Sequence, residues 1–440
     1  MGLENYRRQN PVGQGFFHSA FLREEDCLRL SYVYDCGAMA KYVDARNREI
    51  DKYHRITKFF GAGQLDLLFL SHVHADHVNG VERLLGSLDV DTIVLPLLNV
   101  IDRLIAYSRT AVDDPASAQS DFYRDLIVDP ASALSRFSPR QILFVETGGE
   151  GGAPGGGEGP IDPWDGGREG TFLKGAVGEH GPSWILVGQG QLRSMEVAPD
   201  SSTEAKVIPD TMAMMTTASL AATSSASSFA GAAWLLAPYV DPIIESQRKR
   251  FIAALAKKLK LTAKRLEPQL ASADFVQDLV VNKVDRLAAA YRMLSHDLNV
   301  TSMSLYSGPA GALATGEQRK LEGGIGGFGW QSGYDRIAWL ATGDAALKHV
   351  KRRNDFLAHY ARLLDQVATL TLPHHGSEHN FHFDLLKVVK PLLCVAAADS
   401  YSNWKHPGAH VTQAVCSHPA LMQVVTSKKP SQVWERASLG

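Results

Sequence analysis

The sequence predicts an α/β protein of layered sheets and helices, interrupted by a glycine-rich and helical insertion. Short apolar runs alternate with helical periodicity over the first hundred residues, and the same alternation returns after residue 298. The segment between them has a different composition.

Residues 28–34 read as a strand ending at Asp35-Cys36-Gly37. Residues 65–70 (LDLLFL) read as a second, buried strand, 81–88 as a helix and 92–98 as a third strand. Residues 1–98 are therefore expected to form the first half of a domain. The insertion is expected over 99–297. Within it, 148–168 (GGEGGAPGGGEGPIDPWDGGR) is too rich in glycine to pack a core and costs much entropy to order, so an exposed flexible loop is expected. A Ser/Ala/Thr-rich stretch follows at 216–228. From 241 to 294 the pattern is helical, with Ile252, Leu255, Leu259 and Leu266, then Val276, Val280, Val284 and Leu287, at helical spacing. The second half of the domain is expected over 298–440, with strands at 302–306, 337–340, 368–372, 392–398 and 422–426 and helices at 355–366 and 408–416.

At 440 residues, 45% hydrophobic and 21% charged, the chain has the composition of a soluble globular protein with a sizeable core. A net charge of −2 gives no bulk argument for nucleic acid, so any such argument must come from local clusters. The four cysteines, Cys27, Cys36, Cys394 and Cys416, are widely spaced and form no CxxC pair. They read as reduced thiols of a cytoplasmic protein. The N-terminus lacks a signal peptide's apolar core, and the most apolar stretch, 229–240, is too short to span a bilayer and contains Pro238. No membrane partner is expected.

The strongest chemical signal is Ser71-His72-Val73-His74-Ala75-Asp76-His77, directly after a buried strand. His72 and His74, two residues apart on an extended turn, can converge on one ion, and Asp76 and His77 can face a second. Mixed imidazole and carboxylate ligands suit zinc, manganese or iron(II) better than calcium.

With these residues the chain resembles the metallo-β-lactamase superfamily. The resemblance implies a four-layer αβ/βα sandwich holding two divalent ions, zinc or manganese, between the sheet edges. It implies a bridging aspartate after a later strand, matched by Asp344 in IAWLATGD, and a final histidine after another, matched by His374 or His375 in TLTLPHHGS. It also implies that Asp35 orients the metal loop by hydrogen bonds. Val12-Gly13-Gln14-Gly15, Thr342-Gly343-Asp344, His374-His375-Gly376-Ser377 and Asn403 through His406-Pro407 occur in one order, which is similar to the C-terminal hydrolase domain of the competence protein ComEC and its soluble relatives. That likeness covers about 10–98 and 298–426. It implies that Asn403 and His406 meet the substrate phosphate or the leaving oxygen, with Ser377 assigned to substrate binding. Two departures stand out. Pro11 and Phe16 occupy places where the group carries Asp, and the third histidine of the first metal has no clear counterpart, leaving Asn299, His296 or no residue for it.

The resemblance implies metal-assisted attack of water on phosphorus, with Asp76 in the catalytic centre and His374 or His406 protonating the leaving alkoxide. The expected function is a nuclease acting on DNA or RNA. A phosphodiesterase for small molecules or cyclic nucleotides and a lactonase or β-lactamase-like acyl hydrolase are the alternatives. Residues 248–265 (RKRFIAALAKKLKLTAKR) carry eight Lys/Arg and no acid, so Lys257, Lys258 and Lys260 are candidate phosphate contacts. Lys348, Lys351, Arg352 and Arg353 form a second basic cluster after Asp344. The insertion lies between the two halves of the metal site in sequence. A gate at 148–168, opened by a regulatory protein or a protease, is the corresponding expectation.

Overall fold

The computed structural model describes residues 2–148, 151–156, 173–178, 181–197, 201–217, 233–241, 245–294, 301–311, 317–326, 328–332, 335–402 and 404–440. Its frame follows from strands that are apolar on both faces. In the strand Gln64–Phe69, Leu68 joins a cluster with helical residues such as Ile50, Tyr53, Leu84 and Leu104. Leu67 and Phe69, pointing the other way, join a cluster with Trp234, Leu305 and Trp339 of a second sheet. Successive side chains of a strand face opposite sides, so a run such as LDLLFL holds a sheet between two apolar layers. Truncating Phe69 to Ala would cost roughly 3–5 kcal/mol.

The first sheet runs, in spatial order, Arg193–Met195, Glu204–Pro209, Gln141–Glu146, Asp89–Pro96, Gln64–Phe69, Cys27–Ala38, Gly15–Glu24, Leu3–Gln9, Val433–Leu439, Arg319–Ile325 and Phe328–Ser332. The second runs Leu421–Val425, Leu393–Ala397, Val367–Thr371, Ala338–Ala341, Met303–Pro309, Ala233–Val240, Met212–Thr217 and Ile185–Gly188. Both are mixed. The pairs around Gln64–Phe69 are parallel, as are those from Ala338–Ala341 to Leu421–Val425. The outward side chains of the second sheet, among them Leu235, Leu340 and Leu370, pack with Phe356, Leu385, Leu386 and Val411 of the helices Val350–His359, Asp384–Val389 and Ala409–Cys416. The molecule is thus an α/β protein whose two sheets share an apolar interior. Among the described residues, no helix is long and apolar enough to cross a membrane.

Residues 99–297 are not a separate insertion. Gln141–Glu146 and Glu204–Pro209 extend the first sheet, while Ile185–Gly188, Met212–Thr217 and Ala233–Val240 build the second. The crossing between sheets takes only Asp210 and Thr211. These strands are short and separated by polar or glycine-rich chain, which hides their period. The helical expectation for 241–294 holds, with helices Glu245–Leu259, Ala273–Asn282 and Val284–Arg292. The described part of the glycine-rich stretch, 151–156, is a packed segment and not a free loop. The Ala153 amide donates to the His359 carbonyl and the Gly156 amide to that of Ala310, both at 2.8 Å. At φ +72°, a Cβ on Gly156 would lie 2.0 Å from the Arg362 carbonyl oxygen, so glycine is required for the approach. The rest of the proposed gate, 157–168, lies outside the described residues. The terminal strands Leu3–Gln9 and Val433–Leu439 are hidden in the sequence by polar residues at interior positions. Asn5 and Arg7 are buried, and Arg7 meets Glu435 at 2.7 Å.

Candidate metal centre

Three strands deliver the site at their C-terminal ends, where parallel α/β sheets present their ligands. Gln64–Phe69 runs into His72, His74, Asp76 and His77; Ala338–Ala341 runs into Asp344; Val367–Thr371 runs into His374 and His375. The chain folds His72, His74, Asp76, His77, Asp344 and His375, all buried, into two groups. His72 joins His74 and Asp344, and Asp76 joins His77 and His375, each group with ligand atoms within 4.8 Å of one another. Asp344 faces both. Its Oδ2 lies 3.4 Å from His72 Nε2 and 3.7 Å from His74 Nδ1, and its Oδ1 lies 3.6 Å from His77 Nε2 and 3.9 Å from His375 Nε2. His375 Nε2 also approaches Asp76 Oδ2 at 3.3 Å.

The supporting hydrogen bonds set the tautomers. Asp35, at φ 57° near the end of its strand, accepts the Ser71 amide (2.6 Å) and hydroxyl (2.7 Å) and the His77 Nδ1–H (2.8 Å). With its only proton on Asp35, the Ser71 hydroxyl accepts from His72 Nδ1 at 2.8 Å. His375 Nδ1 donates to the Ala397 carbonyl at 2.7 Å. Each of these rings therefore turns its Nε2 inward, away from its supporting hydrogen bond. The Nε2 atoms of His72, His77 and His375, and Asp344 Oδ1, are buried without a hydrogen-bond partner. Four buried polar atoms without hydrogen-bond partners, converging from two groups, fit a pair of divalent ions, and leaving them unmatched would be costly. The expected role of Asp35 as the loop's anchor agrees with its contacts.

Glycines let the backbone close on this cluster. A Cβ on Gly37 would lie 2.5 Å from the Asp76 carbonyl carbon, and on Gly343 (φ +51°) 2.3 Å from Ser302 Oγ, which accepts the Asp344 amide at 3.0 Å. Gly15 of the VGQG stretch is likewise 2.9 Å from the Asp76 carbonyl oxygen by the same measure. Phe16, in the place of an expected acid, lies parallel to the His77 ring at 6.2 Å.

Burial and the nearby Arg109 and His72 push His74 down to about 3. Burial opposes charge on His77, yet Asp35 and Asp76 raise it to about 9, so a metal taking its Nε2 displaces a proton. Burial, then His375 and Arg109, lower His406 to about 4.

His374 and His375 separate. His374 donates from Nδ1 to Asn380 Oδ1 (3.1 Å), and its Nε2 accepts from Arg109 Nη2 (2.6 Å). Both ring nitrogens are engaged, and burial holds the imidazole neutral. This corrects His374 as the proton donor. His406 stands beside it, its ring 5.8 Å from that of His374 and 5.8 Å from that of Trp404, with a buried Nδ1 that has no hydrogen-bond partner. Ser377 is buried, and its hydroxyl accepts the His379 amide at 3.2 Å, which makes it a turn residue. Asn299, His296 and Asn403 lie outside the described residues.

The expected basic cluster after Asp344 is used by the fold. Arg352 pairs with buried Asp241 at 2.6 Å, Arg353 with Asp384, Lys351 with Asp355, and Lys348 donates to the Glu378 carbonyl. Lys257 and Lys260 are exposed and Lys258 half-buried, at the end of a helix whose Phe251, Ile252 and Leu255 are buried. Sequence reasoning does not find Arg109 at all. A single arginine in the amphipathic helix Val100–Asp113 carries no signal of its own. No protein-family model matches this chain, and no curated protein matches it.

Proposed function

We propose that this protein is a metal-dependent hydrolase of the metallo-β-lactamase type that cleaves phosphodiester bonds, with nucleic acid as its substrate. The reading rests on two buried Asp/His groups that share Asp344, placed where two sheets bring three strand ends together. The two sheets with helices outside each suit the αβ/βα sandwich of that superfamily. His72, His74 and Asp344 would hold one ion, and Asp76, His77 and His375 the second, with Asp344 common to both. Zinc or manganese matches this donor set. Bound there, the ions supply Lewis acidity and a water acidified toward neutrality.

The chain's own residues do the rest. Asp35, Ser71 and the Ala397 carbonyl fix the imidazoles so that no reorganisation is needed on binding. His406, with an unpartnered Nδ1 and an imidazole that burial holds neutral, would accept a hydrogen bond from the water or hydroxyl at the leaving oxygen. The basic helix that carries Lys257 and Lys258, with Lys260 just beyond it, offers a remote contact for a long phosphate backbone.

The test is the purified full chain, supplied with Mn²⁺ or Zn²⁺, against plasmid, single-stranded DNA, RNA, a chromogenic phosphodiester and a lactone. Cleavage of the phosphodiesters, lost in Asp76→Ala while the far-ultraviolet spectrum is kept, is the expected result. Lactone hydrolysis alone would move the protein to the acyl hydrolases. Full activity of Asp76→Ala would sink the assignment.

A further inference from the structure

Arg109 sits one turn from the end of the helix Val100–Asp113, and several neighbours aim it. The adjacent Thr110 hydroxyl accepts the Ala75 amide of the metal loop at 3.5 Å and bonds the Tyr123 hydroxyl at 2.9 Å, tying the helix to the loop. Arg109 Nε lies 3.4 Å from Asp113 Oδ2. Nη2 donates to His374 Nε2 at 2.6 Å. An arginine has no acceptor, so this contact requires the His374 lone pair there, and the Asn380 oxygen keeps the ring's proton on Nδ1. The Asn380 amide nitrogen in turn donates to the Asp344 carbonyl at 3.1 Å. A hydrogen-bonded chain thus runs from the backbone of the shared carboxylate through Asn380 and His374 to the guanidinium.

The guanidinium is nearly desolvated, its side chain only 14% exposed, and Nη1 stops 4.0 Å from Asp344 Oδ2, beyond hydrogen-bonding range. Its carbon lies 5.8 Å from the centre of the Trp404 ring. Asp113 and Asp344 are the carboxylates that face it in this buried place. Two divalent ions would offset the carboxylates Asp35, Asp76, Asp113 and Asp344, leaving the positive charge of Arg109 in excess beside them. A cation beside such a centre favours the entry of an anion. The planar guanidinium fork fits two oxygens of a phosphoryl group, and Trp404 gives a flat face beside it for a base or sugar.

We propose that Arg109 is a substrate-binding residue that holds the anionic oxygens of a phosphodiester beside the two Asp/His groups, with His374 and Asn380 as positioning residues. The inference rests on the hydrolase reading and deepens it. It favours an anionic substrate, since a neutral lactone or ester offers the guanidinium a carbonyl oxygen but no charge.

The test compares wild type, Arg109→Lys and Arg109→Ala as full chains loaded with Mn²⁺. Metal content is measured by elemental analysis, inorganic phosphate binding by calorimetry, and KM and kcat on a chromogenic phosphodiester and a neutral chromogenic ester. All three proteins are expected to hold the same metal. Phosphate affinity should fall about 10- to 100-fold in Arg109→Ala, with KM for the phosphodiester rising more than KM for the neutral ester. Arg109→Lys should recover part of the affinity, as a point charge without the fork. Should the alanine variant lose its metal or its fold, the lysine variant carries the same comparison. Unchanged phosphate affinity in a metal-loaded variant, or equal losses on both substrates, would overturn the role of Arg109. Wild-type protein that takes up no metal would instead overturn the hydrolase reading beneath it.

Discussion

Two loops feed the same site by different means. Residues 71–77 follow the buried strand Gln64–Phe69 and place four candidate ligands by spacing. An extended turn carries His72 and His74, and the short helix Ala75–Val78 then turns Asp76 and His77 inward. Pro373–Gly376 follows the strand Val367–Thr371 of the other sheet and works by backbone conformation. His374 and His375 both adopt left-handed angles, φ 51° and 58°. Neighbours in sequence thereby meet opposite oxygens of Asp344 and separate beyond it, His375 reaching the Asp76 group and His374 the Arg109 guanidinium. Side-chain spacing can be read from a sequence, but the sign of φ at two consecutive histidines cannot. Such residues cost of order 1–3 kcal/mol each and persist where the surroundings fix them. Here the Ala397 carbonyl and Asn380 fix them.

The largest effect is expected where both loops meet. Asp344→Ala removes the carboxylate common to the two groups. Metal content should collapse, with activity falling by more than the roughly 10- to 100-fold typical of a change to a residue that only supports a ligand. Retention of a full metal complement, measured by elemental analysis, would break the picture of one shared carboxylate.

The adjacent histidines sharpen the comparison. His375→Ala should lose metal from the Asp76 group. His374→Ala should keep both ions and raise KM for a phosphodiester, as Arg109→Ala does. If the two variants lose the same metal, the loop works by proximity and not by divergent backbone.

On the other loop, Asp35→Ala leaves every ligand in place but frees the Ser71 hydroxyl and the His77 Nδ1–H. A drop of about 10- to 100-fold in metal affinity by competition titration is expected. No drop would mean that spacing alone organises residues 71–77.

The same contrast explains what is legible in the sequence. The apolar strands around the metal loop, and Asp344 and Asp35, can be found because ligand chemistry sits directly at strand ends. The choice between His374 and His375 needs the fold. So does Arg109, which arrives from a helix in the stretch that reads as an insertion. That stretch misleads because Met212–Thr217 and Ala233–Val240 are short strands flanked by low-complexity chain. Lys348, Lys351, Arg352 and Arg353 read as a second basic cluster, yet Asp241, Asp384 and Asp355 already neutralise most of its charge, which only their positions in space reveal.

The smallest effect is expected farthest from both loops. Reversing Lys257, Lys258 and Lys260 to Glu should leave hydrolysis of a short chromogenic substrate unchanged. It should flatten the salt dependence of nucleic-acid binding by about one log–log unit for each phosphate that is no longer neutralised. An unchanged slope would confine substrate binding to the two loops and Arg109.

The central claim is that the two loops build two metal positions joined by Asp344. Anomalous scattering from crystals of the full chain grown with Mn²⁺ measures this directly. The account predicts two peaks, one among His72, His74 and Asp344 and one among Asp76, His77 and His375, with Asp344 reaching both. A single peak, or a peak ligated by His374 in place of His375, would contradict it.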